Sequence, residues 1–277
     1  MTIDNRQLTI IYTFASIINQ LAFDTLYNEC QLPIANCQLS IIMSCLLNIE
    51  TSTSVCSVAL SMDGEVLFEK ASFDGPSHAA LLGVFVEEAL SVLKMKGRKA
   101  PDAIAVSSGP GSYTGLRIGV SVAKGLCFGF GIPLIGIHTL DILAATAIEK
   151  NKPAGDCLYC AMLDARRMEV YAAIYDAFLT PVRPVSADIV EAGTYASFLE
   201  KGKVCFFGNG ATKCKSVITS PNALFIENIH PLAVNMIPLA EQAFATGKFE
   251  DTAYFEPFYL KEFQATVAKN KVLRGLD

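Results

Sequence analysis

The sequence predicts an α/β protein of two lobes, each a mixed sheet with helices. Three observations predict it. Strand-like runs come in clusters of three before any helix begins, once over 46–73 and again over 158–189. Each cluster is followed by alternating helical and strand-like segments, the pattern of a mixed sheet with crossover helices. The chain has 277 residues, of which 52% are hydrophobic and 18% charged, enough for two sizeable cores.

In chain order, 46–50 is apolar and β-like, and Thr51-Ser52-Thr53-Ser54 is a turn of small hydroxyl residues. A second strand covers 55–61, Asp63-Gly64 marks a tight hairpin, and a third strand covers 65–73. Pro76-Ser77 opens a helix with Ser77 as N-cap, and Leu81, Leu82, Phe85, Val86, Ala89, Leu90 and Leu93 form its apolar stripe. Lys94 and Lys96 suit its C-terminal dipole and Gly97 ends it. A strand over 104–108 runs into Gly109-Pro110-Gly111, a sharp turn, because Pro fixes φ and Gly accepts positive φ. Ser112 or Thr114 then caps a helix to about Phe130, followed by a strand over 133–137 and a helix over 139–149. The order β-β-β-α-β-α-β-α is the plan of a ribonuclease-H-like half.

The second half repeats it in outline. Strands at 158–163 and 169–175 form a hairpin around Asp164-Ala165-Arg166-Arg167, and a Pro-broken run at 182–189 reads as an edge strand. Helix 194–200, strand 204–207, helix 211–218, strand 223–226 and helix 232–246 follow. Two copies of one topology predict a two-lobed, actin-like (ASKHA) architecture. The boundary falls near 151–155, giving lobes at 43–150 and 151–277.

Residues 1–42 read differently. The apolar run 8–23 carries Thr9, Thr13, Ser16, Asn19 and Gln20 and is shorter than the roughly 20 apolar residues of a membrane span. It lacks a signal-peptide cleavage pattern. The expectation is an upstream extension outside the fold, with Met43 as the natural start. The formal net charge is −5, a poor profile for binding nucleic acid alone. Nine widely spread cysteines fit reduced thiols in a cytoplasm. Cys157 and Cys160 form a C-x-x-C inside a strand, where an offset of three sends the side chains to opposite faces.

A P-loop is excluded, since no Gly-Lys-Ser/Thr stands at the turn, and Gly109, Gly111 and Gly115 are spaced one residue too long for a dinucleotide fingerprint. On the helix beyond, Gly115, Gly119, Ala123 and Cys127 recur every four residues, a narrow face that lets another backbone approach closely. In an actin-like ATPase the first hairpin turn holds phosphate. Here Glu50, Thr51 and Ser52 stand there without glycine, either as a capped turn or as an anion contact. Gly208-Asn209-Gly210 is a strand-to-helix turn or a nucleotide contact. Arg166 in the second hairpin tip is a solvated turn residue or a contact to an anion or a partner. His78, His138 and His230 form no metal-ligand pair.

Leu47-Asn48-Ile49-Glu50-Thr51-Ser52-Thr53, the run from Gly109 to Gly119, Asp164 to Arg167 with Glu169 and Tyr171, and Pro257-Phe258-Tyr259-Leu260 together resemble the TsaB (YeaZ) family. The resemblance spans about Met43 to the C-terminus. It implies the actin-like fold and a non-catalytic dimerisation subunit in bacterial tRNA threonylcarbamoyladenosine biosynthesis. The implied partner is a TsaD-like paralogue that transfers threonylcarbamoyl from its adenylate to the tRNA adenosine next to the anticodon. A TsaE-like ATPase joins the pair, tRNA is met only through the complex, and no membrane is involved. The resemblance further implies that no cofactor is held stably, with ATP or ADP bound only in the complex. The pairing surface would be the helices at 77–96 and 114–130, with Leu81, Leu82, Phe85, Gly115, Arg117, Gly119, Val122 and Ala123. The same face could serve a homodimer. TsaD carries an H-x-x-x-H pair that this sequence lacks. Many relatives have Asp where this chain has Glu50, and Arg where it has Lys261. The competing function is a stand-alone glycoprotease-like hydrolase or actin-like ATPase.

Overall fold

The computed structural model describes residues 44–75, 77–150 and 157–260. Expectations placed on 1–43, Pro76, the linker at 151–155 and Lys261 lie outside them.

The first sheet is built from β1 (Cys45–Glu50), β2 (Cys56–Met62), β3 (Glu65–Ser72), β4 (Ala103–Gly109) and β5 (Leu134–His138). Its order is β3-β2-β1-β4-β5. β1, β2 and β3 pair antiparallel, while β4 and β5 run parallel to β1. Helices α1 (His78–Met95), α2 (Tyr113–Phe130) and α3 (Thr139–Lys150) follow β3, β4 and β5. The second sheet contains β6 (Cys157–Asp164), β7 (Glu169–Tyr175), β8 (Pro181–Ile189), β9 (Lys203–Phe207) and β10 (Ala223–Ile226), in the order β10-β9-β6-β7-β8. Read from the opposite edge, this is the first order again, so the repeat of strand-like clusters is a repeat of topology. Between and after these strands lie α4 (Ala196–Leu199), α5 (Ala211–Cys214) and α6 (Ala233–Ala245).

Both faces of each sheet are covered, which is why β1 and β6 are apolar runs rather than alternating ones. On one face of the first sheet, Leu47, Ile49 and Val58 pack with Leu82 and Phe85 of α1 and Val120 and Ala123 of α2. On the other, Leu46, Ala103, Ala105 and Ile135 meet Met236, Ala240 and Ala243 of α6. In the second sheet, Tyr159, Ala161, Cys205 and Phe207 pack with Leu140, Leu143, Ala144 and Ala147 of α3. Cys160, Met162, Val204 and Phe206 face Leu199, Ala211 and Cys214. Two helices are thus exchanged: α3, from the first half of the chain, covers the second sheet, and α6, from the second half, covers the first. The C-x-x-C pair divides as its spacing requires, Cys157 into one core and Cys160 into the other.

Local signals account for most element ends. Ser112 caps α2 by accepting from Gly115 N at 3.2 Å, and Gly131 closes it in the left-handed region at φ 68°. Ser77 stands at the N-cap of α1 but makes no side-chain cap bond. β8 is an edge strand with register shifts against β7, as its prolines predict. The helix expected over 211–218 stops at Cys214, and the chain continues in single turns that seat Ile218 in the core.

Candidate functional site

Two loop systems lie at the C-terminal ends of the parallel strands, where α/β sheets place their sites. The first joins the turn after β1 to the Gly109–Gly115 turn. Ser112 N donates to Ser52 O at 2.6 Å, and the Thr51 hydroxyl donates to Gly115 O at 2.8 Å. A Cβ at Gly111 would collide with Ser52 O, one at Gly115 with Thr51 O, and one at Gly119 with Thr51 Oγ1. These three glycines let α2 and its leading turn lie directly against the β1 turn.

Glu50 sits at the centre and is fully buried. Its Oε1 accepts from Ser52 N at 2.5 Å, while Oε2 has no hydrogen-bond partner among the described residues. Burial pushes the carboxyl up from its ordinary 4.5 to about 7, against the opposing pull of hydrogen bonds from Ser52 and Ser107. The folded state therefore holds this proton more tightly than the unfolded chain does. The associated stability is complete below pH 4.5 and is lost as pH rises through about 7. Glu50→Gln, which mimics the protonated carboxyl, is expected to match the wild type at pH 4 and to exceed it at pH 8. The gap should be on the order of a few kcal/mol. Urea midpoints across that range check it; parallel curves would refute a neutral Glu50.

A third element closes this loop system. The segment after α6 returns over the first sheet, and Phe258 N donates to Ser108 O at 2.6 Å. A Cβ at Gly109, where φ is 109°, would come within 2.7 Å of Phe258 O. Lys124 Nζ donates to Ala253 O and Phe255 O, both at 3.0 Å. Tyr259 packs on Tyr113 at 5.0 Å between centroids, and Phe258 meets His138 edge-on at 5.7 Å. Thr51 N is directed at Ser107 Oγ, Ser52 N at Glu50, and the turn's carbonyls occupy the space beside the glycines.

The second loop system is the β6–β7 hairpin tip. Asp164 N donates to Asn209 Oδ1 at 2.9 Å, and Asp164 Oδ1 accepts from Arg166 N at 2.9 Å. Lys213 Nζ ion-pairs with Asp164 and donates to Arg167 O at 2.7 Å and Glu169 O at 2.6 Å. Gly208 and Gly210 press against the backbone of Met162 and Leu163, so Gly208-Asn209-Gly210 serves as a strand-to-helix turn that braces the hairpin. Arg166 and Arg167 are exposed.

The histidines are separated. His78 is buried with Nε2 2.8 Å from Thr53 O, His138 Nδ1 lies 3.3 Å from Ser108 Oγ, and His230 packs edge-on against Phe73. Among the described residues no group of three His, Cys, Asp or Glu is placed to hold a metal. None of the described helices is long and apolar enough to cross a membrane.

The expected pairing surface needs correction. Leu82, Phe85, Gly115, Gly119 and Ala123 are buried in the chain's own core, because the small stripe 115/119/123/127 faces β1 and its turn. They are not available to a partner. Leu81 and Val122 are half-buried against the same core, and Arg117 is exposed. What faces outward on α2 is a second stripe, Arg117, Ser121 and Gly125, set two residues from the first and continued by Phe128. Phe128 is 89% exposed, and Gly83 and Gly125 have no atom within 4 Å of an added Cβ. Lys213 and the Phe258 strap were missed as site residues. Lys213 has no local signal, whereas the strap shows in the sequence only as the Pro257-Phe258-Tyr259-Leu260 run.

Residues 72–269 match the family described as TsaD, tRNA N6-adenosine threonylcarbamoyltransferase. The chain is 32% identical to the tRNA threonylcarbamoyladenosine biosynthesis protein TsaB of Escherichia coli over 240 residues, covering 78% of this chain and 94% of that one. It is 31% identical to the TsaB of Bacillus subtilis over 177 residues, 62% of this chain and 74% of that one. The crystal structure of YeaZ from Pseudomonas aeruginosa superposes with a TM-score of 0.66 at 30% identity, covering 79% of this chain and all of that one. With its two repeated mixed sheets and actin-like, ribonuclease-H-like plan, the chain belongs to the TsaB (YeaZ) family of tRNA threonylcarbamoyladenosine biosynthesis proteins.

Proposed function

We propose that this chain is the non-catalytic dimerisation subunit of a tRNA threonylcarbamoyltransferase, binding and supporting a TsaD-like paralogue that carries the chemistry. The observation that carries the reading is the filled first loop system. Thr51 and Ser52 carbonyls lie against Gly111 and Gly115, and Phe258 O lies against Gly109, where an actin-like enzyme would hold phosphate. Each histidine is likewise engaged elsewhere, by Thr53, Ser108 or Phe73. Nucleotide is then bound only in the assembled complex, which a TsaE-like ATPase joins and through which tRNA is met.

The pairing surface we assign is the outward face of α1 and α2: Gly83 and Val84 on one helix, Arg117, Ser121, Gly125 and Phe128 on the other. Val84 is 48% exposed and Phe128 is 89% exposed, and the glycines between them let a second pair of helices approach closely. The test is co-expression with the TsaD-like paralogue. A stoichiometric complex that modifies tRNA is expected, while this chain alone transfers no threonylcarbamoyl group. Transfer by the purified chain, lost on Glu50→Gln, would overturn the reading.

A further inference from the structure

We infer that the β6–β7 hairpin tip is an RNA phosphate contact made by Arg166 and Arg167. This rests on the function proposed above and names the part of this chain that meets the tRNA. Both residues are exposed, and both have left-handed backbone, with φ 70° at Arg166 and 47° at Arg167. Such positions favour Gly or Asn, and a residue with a long side chain there carries a conformational cost. Two consecutive arginines at positive φ, in a loop closed by Glu169 N donating to Arg166 O at 3.1 Å, put long side chains where Gly or Asn sits more easily, which indicates that the side chains are what the tip is built to present.

The tip is also held rigid from beneath. Lys213 ties together Asp164, Arg167 O and Glu169 O. Asn209 holds Asp164 N, Ala165 N donates to Glu169 O at 3.0 Å, and Val190 N donates to Met168 O at 2.8 Å. Two carboxylates stand at the base of the loop, that of Asp164, paired with Lys213, and that of Glu169, which opens β7, against the three cations Arg166, Arg167 and Lys213. Neither guanidinium is engaged by a carboxylate among the described residues. The result is a local excess of positive charge on a chain of net charge −5. Guanidinium forks match phosphate bidentately and are less strongly hydrated than ammonium groups. Two of them on a braced loop suit adjacent phosphates of a folded RNA. Because the chain as a whole carries a net charge of −5, the contact adds to a partner's binding rather than capturing RNA alone.

The test uses the complex with the TsaD-like transferase and a tRNA transcript that it modifies. The double variant Arg166→Gly/Arg167→Gly removes both charges while fitting the positive φ, so its thermal midpoint should equal or exceed the wild type's. Its affinity for the transcript should fall by about tenfold. The slope of log Kd against log salt should shrink by roughly one to two. Affinity and slope unchanged in a normally assembled complex would overturn the assignment. So would loss of assembly with RNA affinity intact, which would make the tip a protein contact. If the wild-type complex itself fails to bind and modify the transcript, the proposed function falls and the tip assignment with it.

Discussion

Gly115→Ala is expected to destabilise the chain by on the order of 3 kcal/mol, lowering the thermal midpoint by roughly 6–12 °C. The added methyl group would collide with the carbonyl oxygen of Thr51, a backbone atom that cannot rotate away. Relief requires moving α2 off the β1 turn. That strains the Thr51 bond to Gly115 O and the Ser112 bond to Ser52 O, and it loosens the fit of Leu116, Val120 and Ala123 on the first sheet. Gly125→Ala, ten residues along the same helix, is the internal control. Its Cβ meets nothing within 4 Å, so only the helical preference of Ala over Gly acts, and the free chain should gain about 0.5–1 kcal/mol. Thermal or urea unfolding of the two variants checks the contrast. Equal behaviour would refute the close contact of Gly115 with the β1 turn, and a reversed order would mean that the two faces of α2 are exchanged.

Phe128→Asp is expected to leave the isolated chain as stable as the wild type and to weaken the complex with the TsaD-like partner by at least about thirtyfold. Phe128 is 89% exposed, so its removal takes no packing from the monomer. An exposed aromatic at the centre of an interface commonly carries 2 kcal/mol or more, and an aspartate in its place would be a desolvated, unpaired charge. That loss converts to roughly a thirtyfold change in Kd. Titration calorimetry or analytical ultracentrifugation of the pair measures it. Assembly at wild-type affinity would remove the outward face of α2 from the proposed interface.

Much of the fold was legible because short-range chemistry controls it. The Asp63-Gly64 hairpin, the Ser112 cap, the Gly131 stop and the prolines of β8 each act within a few residues of where they stand. The stripe at 115/119/123/127 was legible as a close-approach surface but not as to what approaches it. Small residues serve a neighbouring subunit and a neighbouring turn equally, and α2 carries such residues on both faces. Only the contact of Thr51 with Gly115 and Gly119 decides between them. Lys213 was not legible, because its partner Asp164 is 49 residues away and a lone lysine on a short helix gives no local sign of that reach. Glu50 was legible as a departure within a turn. Its neutral state depends on complete burial, which no neighbour in sequence reveals.

The exchange of α3 and α6 between the two sheets governs the order in which the chain can be finished on the ribosome. The bond from Ala233 N to Ser57 Oγ joins positions 176 residues apart, and that from Ser44 Oγ to Glu241 joins positions 197 apart. At about 5–20 residues per second, the first sheet, complete at His138, emerges roughly 5–20 s before the helix that roofs one of its faces. Through that interval Leu46, Ala103, Ala105 and Ile135 have no native cover from α6. The first lobe, although synthesised first, is therefore the one completed last, since the cores of the second sheet draw on nothing beyond Ile229.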